Sequence, residues 1–464
     1  MANSNPSERK DNTNNEKEVL GYLPDERPPF LELIFFALQQ IVVMFPATVL
    51  VALITGFHVS TTIFASGLAT LVFILVTGKK IPLYYGSSFS YIAAIASIMG
   101  AEQFAGLTLN ERISIAQFGI VLSGLVSIVA GLVINKVGQK AIDKVLPPTV
   151  TGSIAMVIGL SLAANALSNA SSVPAGLSEG QIPFATDMAM IIAIITLIST
   201  ILYSVYLKGT LSQFPILFGL FTGYAVALII GGITGIGFVN FNTIETSSIL
   251  TLPIFTFPKA NLAAIAAIMP IAIATIPEST AHIYQLDIYV NDLAGKKATK
   301  KRYDLAGKLG LNLIGDGIGD IVSGFIGGPA GTNYGENISC MAISKNFSVP
   351  VLITAAIITM IISCFTPLIN IIYSIPTSVI GGLSIYLFGI IAAQGITIMM
   401  DKKVDMFSSR NLAIIAVIMI IGLGGTYNYS NGMIPLFGQE FPAIATAAIS
   451  GIVLNLLLSI RSEE

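Results

Sequence analysis

Charged residues are scarce in this chain. Asp, Glu, Lys and Arg make up 10% of its 464 residues, whereas 54% are hydrophobic. A soluble globular domain usually carries about 25% charged residues. Apolar runs long enough to cross a bilayer recur from one end of the sequence to the other. The composition therefore predicts an integral membrane protein with the lipid bilayer as its surroundings, and it leaves no stretch for a soluble domain.

Cysteine and tryptophan are also nearly or wholly missing. The two cysteines, Cys340 and Cys364, both lie in apolar segments, and the chain has no tryptophan. Two such cysteines predict neither a disulfide framework nor a thiolate metal site. The formal net charge of −2 gives no reason to expect nucleic acid as a partner. We expect no cofactor and no metal.

The first 29 residues differ from the rest because they are polar and mixed in charge. They lack the basic start and the apolar stretch of a signal peptide. The composition predicts a disordered cytoplasmic tail over residues 1–29.

Fourteen membrane spans are predicted after this tail. The 23 Lys and Arg residues support the count, because all but Arg112 and Lys259 fall in connections on the side of the N-terminus. Basic residues collect on the cytoplasmic side of membrane proteins. We therefore expect a multi-pass protein of the cytoplasmic membrane with both termini in the cytoplasm. The predicted spans lie near 30–54, 60–78, 84–99, 113–134, 149–166, 187–207, 212–236, 259–286, 307–326, 334–346, 348–372, 376–398, 411–425 and 442–460.

Two similarities within the sequence predict an internal repeat. Spans 5 and 12 share a pattern whose members are each 229 residues apart, and the starts of spans 3 and 10 share a Gly-Ser/Thr-x-aromatic turn. Both pairs are seven spans apart, and a unit with an odd number of spans reverses its orientation when repeated. The sequence therefore predicts an inverted 7+7 repeat. The matched residues are Val150 with Val379, Gly152 with Gly381, Asn165 with Gln394, and Gly86–Phe89 with Gly331–Tyr334.

Spans 3 and 10 are too short to cross the bilayer. Tyr334 to Lys345 is a helix of about 18 Å, against a hydrocarbon core of about 30 Å. Extended backbone must cover the remaining depth, and two short strands that pair would satisfy its hydrogen bonds. The alternative, two ordinary loops, fits the alternation of charge poorly. The predicted fold class is an all-α polytopic membrane protein with short antiparallel strands before half-helices in segments 3 and 10.

Five ionisable residues fall inside the predicted spans, where such residues are usually functional. Glu278 and His282 are four residues apart and share a helix face. They are candidates to exchange or share a proton, although a static hydrogen-bonded pair is an alternative. We favour Asp316, in a glycine-rich run with Asp320, as a hydrogen-bonding partner between helices rather than as a proton carrier. The run has no βαβ context and does not indicate dinucleotide binding.

Glu336 is the fifth of these residues, and it lies in the first turn of the span 10 half-helix. The unpaired N–H groups of that turn suit carbonyl oxygens or anions. Glu336 adds an acceptor, and Phe89 or Tyr334 adds an aromatic ring. Together they predict a pocket for a flat, polar heterocycle that bears N–H groups, although Glu336 as a simple helix cap is an alternative.

The chain resembles a known transporter family in several motifs. It is similar to the nucleobase–ascorbate transporters, also called the nucleobase:cation symporter-2 family. The motifs that carry the similarity are Tyr334–Asn337 after a Gly-Gly-Pro run, Glu278 with His282, Gly86–Phe89 and Pro376–Gly382. The resemblance covers nearly all of the chain after residue 27. The acidic residue before Asn337 resembles the uracil permease branch, because xanthine and urate carriers typically have Gln there.

The resemblance implies a proton-coupled uracil symporter. It would work by alternating access between a core and a gate domain, and it would form a homodimer through its gate domains. Glu278 and Glu336 would hydrogen-bond the uracil ring, and the backbone N–H groups of Phe89 and Gly335 would meet its carbonyl oxygens. His282 would assist Glu278 in proton coupling, and Tyr334 would line the site. The implied domains are a tail over 1–29, core parts over 30–145 and 259–373, and gate parts over 146–258 and 374–464.

Several residues depart from the family pattern. Ser339 replaces a usual Gly, Ser344 stands where Thr is usual, and Gln40 follows Gln39 in place of His. These departures leave open a carrier for xanthine or another nucleobase. An anion exchanger or channel on the same 7+7 scaffold is a further alternative. We do not expect an enzyme, because the sequence offers no nucleophile–base pair.

Overall fold

The computed structural model describes residues 20–138, 144–241, 248–299, 301–436 and 439–460. Helices dominate these ranges, because a helix satisfies its own backbone hydrogen bonds in a bilayer. They form fourteen spans, of which ten contain a helix long and apolar enough to cross a membrane by length and composition. In chain order the spans are Phe30–Thr55, Val59–Val76, Ile92–Met99, Leu109–Val137, Pro148–Ser161 with Ala163–Ala170, Ile182–Tyr206, Pro215–Thr234, Leu262–Ile268 with Ile271–Lys296, Leu309–Ile326, Gly335–Ser344, Val349–Ile362 with Thr366–Tyr373, Thr377–Asp401, Ser409–Met419 continued to Asn428, and Ala443–Ile460.

Two short strands precede the half-helices of spans 3 and 10, as predicted. Strand β1 (Tyr85–Ser87) pairs antiparallel with strand β2 (Gly331–Asn333), and Gly86 lies opposite Thr332. The close approach requires glycine, because a Cβ on Gly86 would lie 2.3 Å from the ring of Tyr334. The pair carries the chain to the depth at which both half-helices begin.

The packing of spans 5 and 12 confirms the inverted repeat. A Cβ on Gly152 would lie 2.6 Å from the side chain of Met399. At the other end of the same crossing, a Cβ on Gly381 would lie 2.2 Å from the backbone nitrogen of Ala170. The 229-residue offset found in the sequence relates Gly152 to Gly381 and Ala170 to Met399, so each contact maps onto the other. A local two-fold axis therefore relates the spans. The protein is an all-α polytopic membrane protein built as an inverted 7+7 repeat.

Small residues also allow close helix packing between spans 4 and 9. A Cβ on Gly124 would lie 2.4 Å from the carbonyl oxygen of Gly317, and one on Gly317 would lie 2.3 Å from that of Gly124. Glycine contacts of this kind bring helix backbones together where lipid gives no hydrophobic drive for association.

Span 8 runs ten residues past its predicted end at 286. The side chain of Asp287 accepts hydrogen bonds from the backbone N–H groups of Leu305 and Ala306, at 2.7 and 3.1 Å. Asn291 donates to the carbonyl oxygen of Tyr303 at 2.7 Å and accepts from its N–H at 3.0 Å. Because the connection to span 9 folds back on the last turns, they are stabilised beyond the apolar run.

The prediction of a disordered tail is wrong for residues 20–29, while residues 1–19 lie outside the described residues. Tyr22 is buried, and its carbonyl oxygen accepts a 2.8 Å hydrogen bond from the N–H of Phe347. Nζ of Lys297 lies 2.6 Å from the carboxylate of Glu26. The segment thus joins the loop between spans 10 and 11 to the end of span 8, and these long-range contacts order it.

A β-hairpin lies between spans 13 and 14. Strand β3 (Met433–Leu436) pairs antiparallel with strand β4 (Gln439–Pro442). The hairpin contacts Leu262–Ile268 at the start of span 8, and the turn before it contacts span 3. The connection between spans 13 and 14 of the predicted gate domain therefore contacts spans 3 and 8 of the predicted core domain.

Candidate functional site

A cavity of about 100 Å³ lies where the two half-helix starts meet span 8. Spans 5 and 12 form its opposite wall. All six residues that were expected to bind substrate or couple a proton line this one cavity: Phe89, Glu278, His282, Tyr334, Gly335 and Glu336. The structure therefore brings together residues that are up to 247 positions apart in the chain.

Phe89 supplies the aromatic surface of the cavity. It begins a short 3-10 turn, and the Ser88 side chain before it accepts a hydrogen bond from the N–H of Ser90 at 3.3 Å. The ring of Phe89 packs edge to face with Phe388 of span 12, at 5.9 Å between centroids. This contact fixes the ring between span 3 and the opposite wall.

Glu278 lies one helical turn before His282 in span 8. Its carboxylate accepts a hydrogen bond from Oγ of Ser90 at 3.3 Å. His282 lies against Gly335, where a Cβ would be 2.9 Å from Nε2. Nδ1 of His282 is buried and has no hydrogen-bond partner among the described residues. The imidazole therefore retains an unused hydrogen-bonding position beside the cavity.

Glu336 lies in the first turn of the half-helix Gly335–Ser344. The N-cap residue, Tyr334, makes no side-chain capping hydrogen bond. Asn337 anchors the helix to span 1 by donating to Oε1 of Gln40 at 2.8 Å. The first turn therefore presents backbone N–H groups and one carboxylate to the cavity.

Tyr334 contributes to the wall of the cavity, but its ring does not offer a stacking surface there. The side chain is 3% exposed. Its hydroxyl lies 3.0 Å from Oγ1 of Thr48 and donates to the carbonyl oxygen of Ser87 at 3.0 Å. The ring instead fixes the position of span 1 and β1, and Phe89 is left as the aromatic face.

Asp316 forms hydrogen bonds between helices, as was predicted. Its carboxylate accepts a hydrogen bond from Oγ of Ser279 in span 8 at 2.7 Å and one from Nδ2 of Asn333 in β2 at 2.8 Å. It is 5% exposed. Asp316 thus ties spans 8 and 9 to the strand that leads into Glu336.

Asp320, in the same helix as Asp316, binds both β1 and β2. Its Oδ1 accepts hydrogen bonds from the hydroxyl of Tyr85 at 2.5 Å and from the N–H of Gly331 at 2.8 Å. One carboxylate oxygen therefore joins β1 and β2 to span 9.

Five polar residues of the cavity were not predicted as site residues: Ser90, Thr151, Thr332, Asn333 and Gln394. Ser90 follows Phe89 directly, so its place in the short span was a usable signal. Thr151 and Gln394 lie on apolar stripes of spans 5 and 12, where helical spacing alone did not show which face meets the cavity. Ser339, which departs from the family pattern, is exposed and donates to the carbonyl oxygen of Gly335 at 3.1 Å. Nothing in the structure explains its replacement of glycine.

Comparisons with known proteins agree on one group. A family model described as a permease family (Xan_ur_permease) matches residues 31–430. A uracil permease of Bacillus caldolyticus is 36% identical over 446 residues, which are 94% of this chain and 94% of that protein. A putative pyrimidine permease, RutG, of Escherichia coli strain K12 is 34% identical over 438 residues, 94% of this chain and 91% of that protein.

Solved structures share the fold at low sequence identity. The murine anion transporter Slc26a9, in its inward-facing state, has a TM-score of 0.63 at 13% identity, over 98% of this chain and 74% of that one. The transmembrane domain of the cyanobacterial bicarbonate transporter BicA has a TM-score of 0.57 at 13% identity, over 93% of this chain and 99% of that one. At this identity the likeness extends to the fold alone.

Proposed function

The chain belongs to this permease family, and on that premise we propose that it is a proton-coupled symporter that imports uracil. One observation supports the proposal most strongly. Two carboxylates, Glu278 and Glu336, line the same cavity as the starts of two half-helices. This is an unusual combination of acceptors and donors inside a membrane protein, where ionised groups are otherwise avoided.

The cavity matches the hydrogen-bonding groups of uracil. The ring carries two N–H donors and two carbonyl acceptors. An ionised carboxylate only accepts, so Glu278 and Glu336 suit the two N–H groups. The backbone N–H groups of Phe89 and Gly335 suit the two carbonyl oxygens. Two carboxylates in one small cavity disfavour an anionic substrate, because like charges repel.

Glu278 and His282 are the residues that we propose to couple the proton. A proton taken up with uracil would neutralise a carboxylate before the loaded site changes its exposure. The free Nδ1 of His282, one turn along the same helix, gives the proton a second position. Proton binding and substrate binding would then share one cavity, as tight coupling requires.

The position of the cavity supports a mechanism of alternating access. Spans 3, 8 and 10 of the proposed core form one wall, and spans 5 and 12 of the proposed gate form the other. A shift of the core against the gate would open the cavity to either side of the bilayer. We further propose that the protein lies in the cytoplasmic membrane with both termini inside and forms a homodimer through its gate domains, which mass measurement in detergent would test.

A nucleobase binding screen tests the substrate. Purified protein is mixed with uracil, thymine, xanthine or bicarbonate, and its thermal stability is measured. We expect uracil to raise the melting temperature and Glu336→Gln to abolish that rise. Glu179→Gln, at an exposed glutamate outside the cavity, is the matched control and should respond as the unchanged protein does. A response to xanthine or bicarbonate without one to uracil would overturn the proposal.

A further inference from the structure

The wall of the cavity opposite the two carboxylates is almost entirely apolar. Span 5 lines it at positions spaced three and four apart, and span 12 does so at positions three and four apart, so each helix presents one face. Five of the seven side chains cannot form hydrogen bonds. The seven are Thr151, Ile154, Ala155, Ile158, Ile391, Gln394 and Ile398.

Gln394 differs from its neighbours on this wall. It is the single amide among the seven, and its side chain is exposed and forms no hydrogen bond with any described residue. Thr151, the other polar residue, reaches only the carbonyl oxygen of Pro148 in its own helix, at 3.5 Å. Gln394 therefore offers the cavity a free donor and a free acceptor.

Uracil itself offers Gln394 no hydrogen-bonding partner, because residues of spans 3, 8 and 10 bind all of its polar groups. This step rests on the proposed function. The two carboxylates and the two half-helix starts all lie on the core side, so the polar edges of the ring face the core. The remaining C5–C6 edge, which carries only C–H bonds, faces spans 5 and 12. When the cavity closes, an amide against that edge would be left unpaired, which is unfavourable.

We propose that Gln394 determines specificity at this edge, and that it favours nucleobases with a hydrogen-bonding substituent there. A 5-amino group has nearly the size of a 5-methyl group but can donate to the amide oxygen or accept from the amide nitrogen. Sites that hydrogen-bond a substrate discriminate strongly against an analogue that lacks the polar group. The substrate range of this chain therefore extends to 5-polar pyrimidines.

The test compares thymine with 5-aminouracil, which differ at one substituent. Dissociation constants for both ligands and for uracil are measured on the full-length protein and on Gln394→Met, which keeps the length of the side chain. We expect the unchanged protein to prefer 5-aminouracil over thymine. In Gln394→Met this preference should fall by about tenfold, because thymine no longer leaves an amide unpaired. Glu179→Gln, at an exposed glutamate outside the cavity, is the control and should keep the preference.

The outcomes separate this inference from the proposed function. If uracil binds but the preference is absent, or persists in Gln394→Met, the role of Gln394 is overturned and the proposed function stands. If no nucleobase binds the unchanged protein, the proposed function itself fails. A uracil-induced rise in melting temperature shows that the variant is folded. Gln394→Leu replaces Gln394→Met if that rise is missing, and the same loss of preference is expected of it.

Discussion

At the scale of single residues, the cavity depends on glycines that leave room for aromatic and imidazole rings. Gly86 accommodates the ring of Tyr334, Gly331 that of Tyr85, and Gly335 that of His282. In each case a Cβ would lie within 3 Å of the neighbouring ring. Close packing of this kind makes interiors sensitive to even one added methyl group.

Gly86→Ala tests this packing. The added methyl would overlap the ring of Tyr334, which two hydrogen bonds hold in place. Overpacking of a core costs about 1–3 kcal/mol, so we expect a lower melting temperature and weaker uracil binding. Gly232→Ala is the matched control, since a Cβ there meets nothing within 4 Å. Equal behaviour of the two variants would contradict the packing described for β1.

Asp316→Ala tests the buried hydrogen-bond network. The change removes the acceptor of Ser279 and one of the two acceptors of the Asn333 amide, and a buried polar group left unpaired costs about 1–3 kcal/mol. We expect thermal stability to fall in the absence of any ligand. Asp316→Asn keeps one acceptor and should fall less. If instead stability is unchanged and only proton-driven transport is lost, Asp316 is a proton carrier and not a structural partner.

Sequence reasoning succeeded for residues whose chemistry is rare in a membrane. Glu278, His282 and Glu336 stood out because ionisable groups inside spans are uncommon. Thr151 and Gln394 did not, because Thr and Gln at one position of an apolar stripe carry no signal of their own. Their role depends on which helix face meets the cavity, and only the packing of spans 5 and 12 against the core sets that.

At the scale of elements, the N-terminal segment over residues 20–29 links several parts of the predicted core domain. Lys301 lies 2.6 Å from the carboxylate of Asp25, and the hydroxyl of Tyr303 donates to the same carboxylate. Lys297 holds Glu26 in a second pair. The segment therefore joins the connection between spans 8 and 9 to the start of span 1.

The attachment of this segment should weaken in acid. Partial burial opposes ionisation of Asp25, but hydrogen bonds from Lys301 and Tyr303 hold its pKa below the usual value. A carboxylate whose pKa is lower when folded stabilises the fold above its unfolded pKa, near 3.9, and loses that effect as the pH falls through the folded value. We expect Asp25→Asn to lower the melting temperature slightly at pH 7, and the gap to the unchanged protein to narrow as the pH falls below about 3.9.

The control for this pH dependence is Asp292→Asn, whose partner Lys296 lies one turn away on the same exposed helix surface. The Asp292–Lys296 pair is about as exposed as the Asp25–Lys301 pair, but it joins neighbours on one helix and no other segment, so it should matter little at either pH. A gap between Asp25→Asn and the unchanged protein that does not narrow as the pH falls below about 3.9 would contradict the assignment.

The half-helices and the N-terminal segment show what the sequence can predict about elements. Spans 3 and 10 were predictable because their length falls short of the bilayer and a Gly-rich turn precedes each. The segment over 20–29 was missed because mixed charge and low hydrophobicity are also typical of disorder. Its order comes from partners such as Lys297 and Phe347, which are too distant in sequence to read locally.

At the scale of the whole molecule, the inverted repeat explains where the site is. The two-fold relation between halves brings both half-helix starts to one level and both cavity-facing stripes, on spans 5 and 12, opposite them. The repeat was readable in the sequence from Gly152 and Gly381, because close helix crossings require small residues at both ends. How the halves move could not be read, since a hydropathy pattern carries no information on contacts between domains.

Uphill uptake measured in proteoliposomes tests the central claim, that uracil and a proton share one cavity. Vesicles containing the protein are placed in a more acidic medium with labelled uracil, and accumulation inside is followed over time. The account predicts accumulation above the external concentration in the unchanged protein and in Glu179→Gln, and none in Glu278→Gln. Undiminished pH-driven accumulation in Glu278→Gln, or accumulation that follows a sodium gradient and ignores the pH gradient, would contradict it.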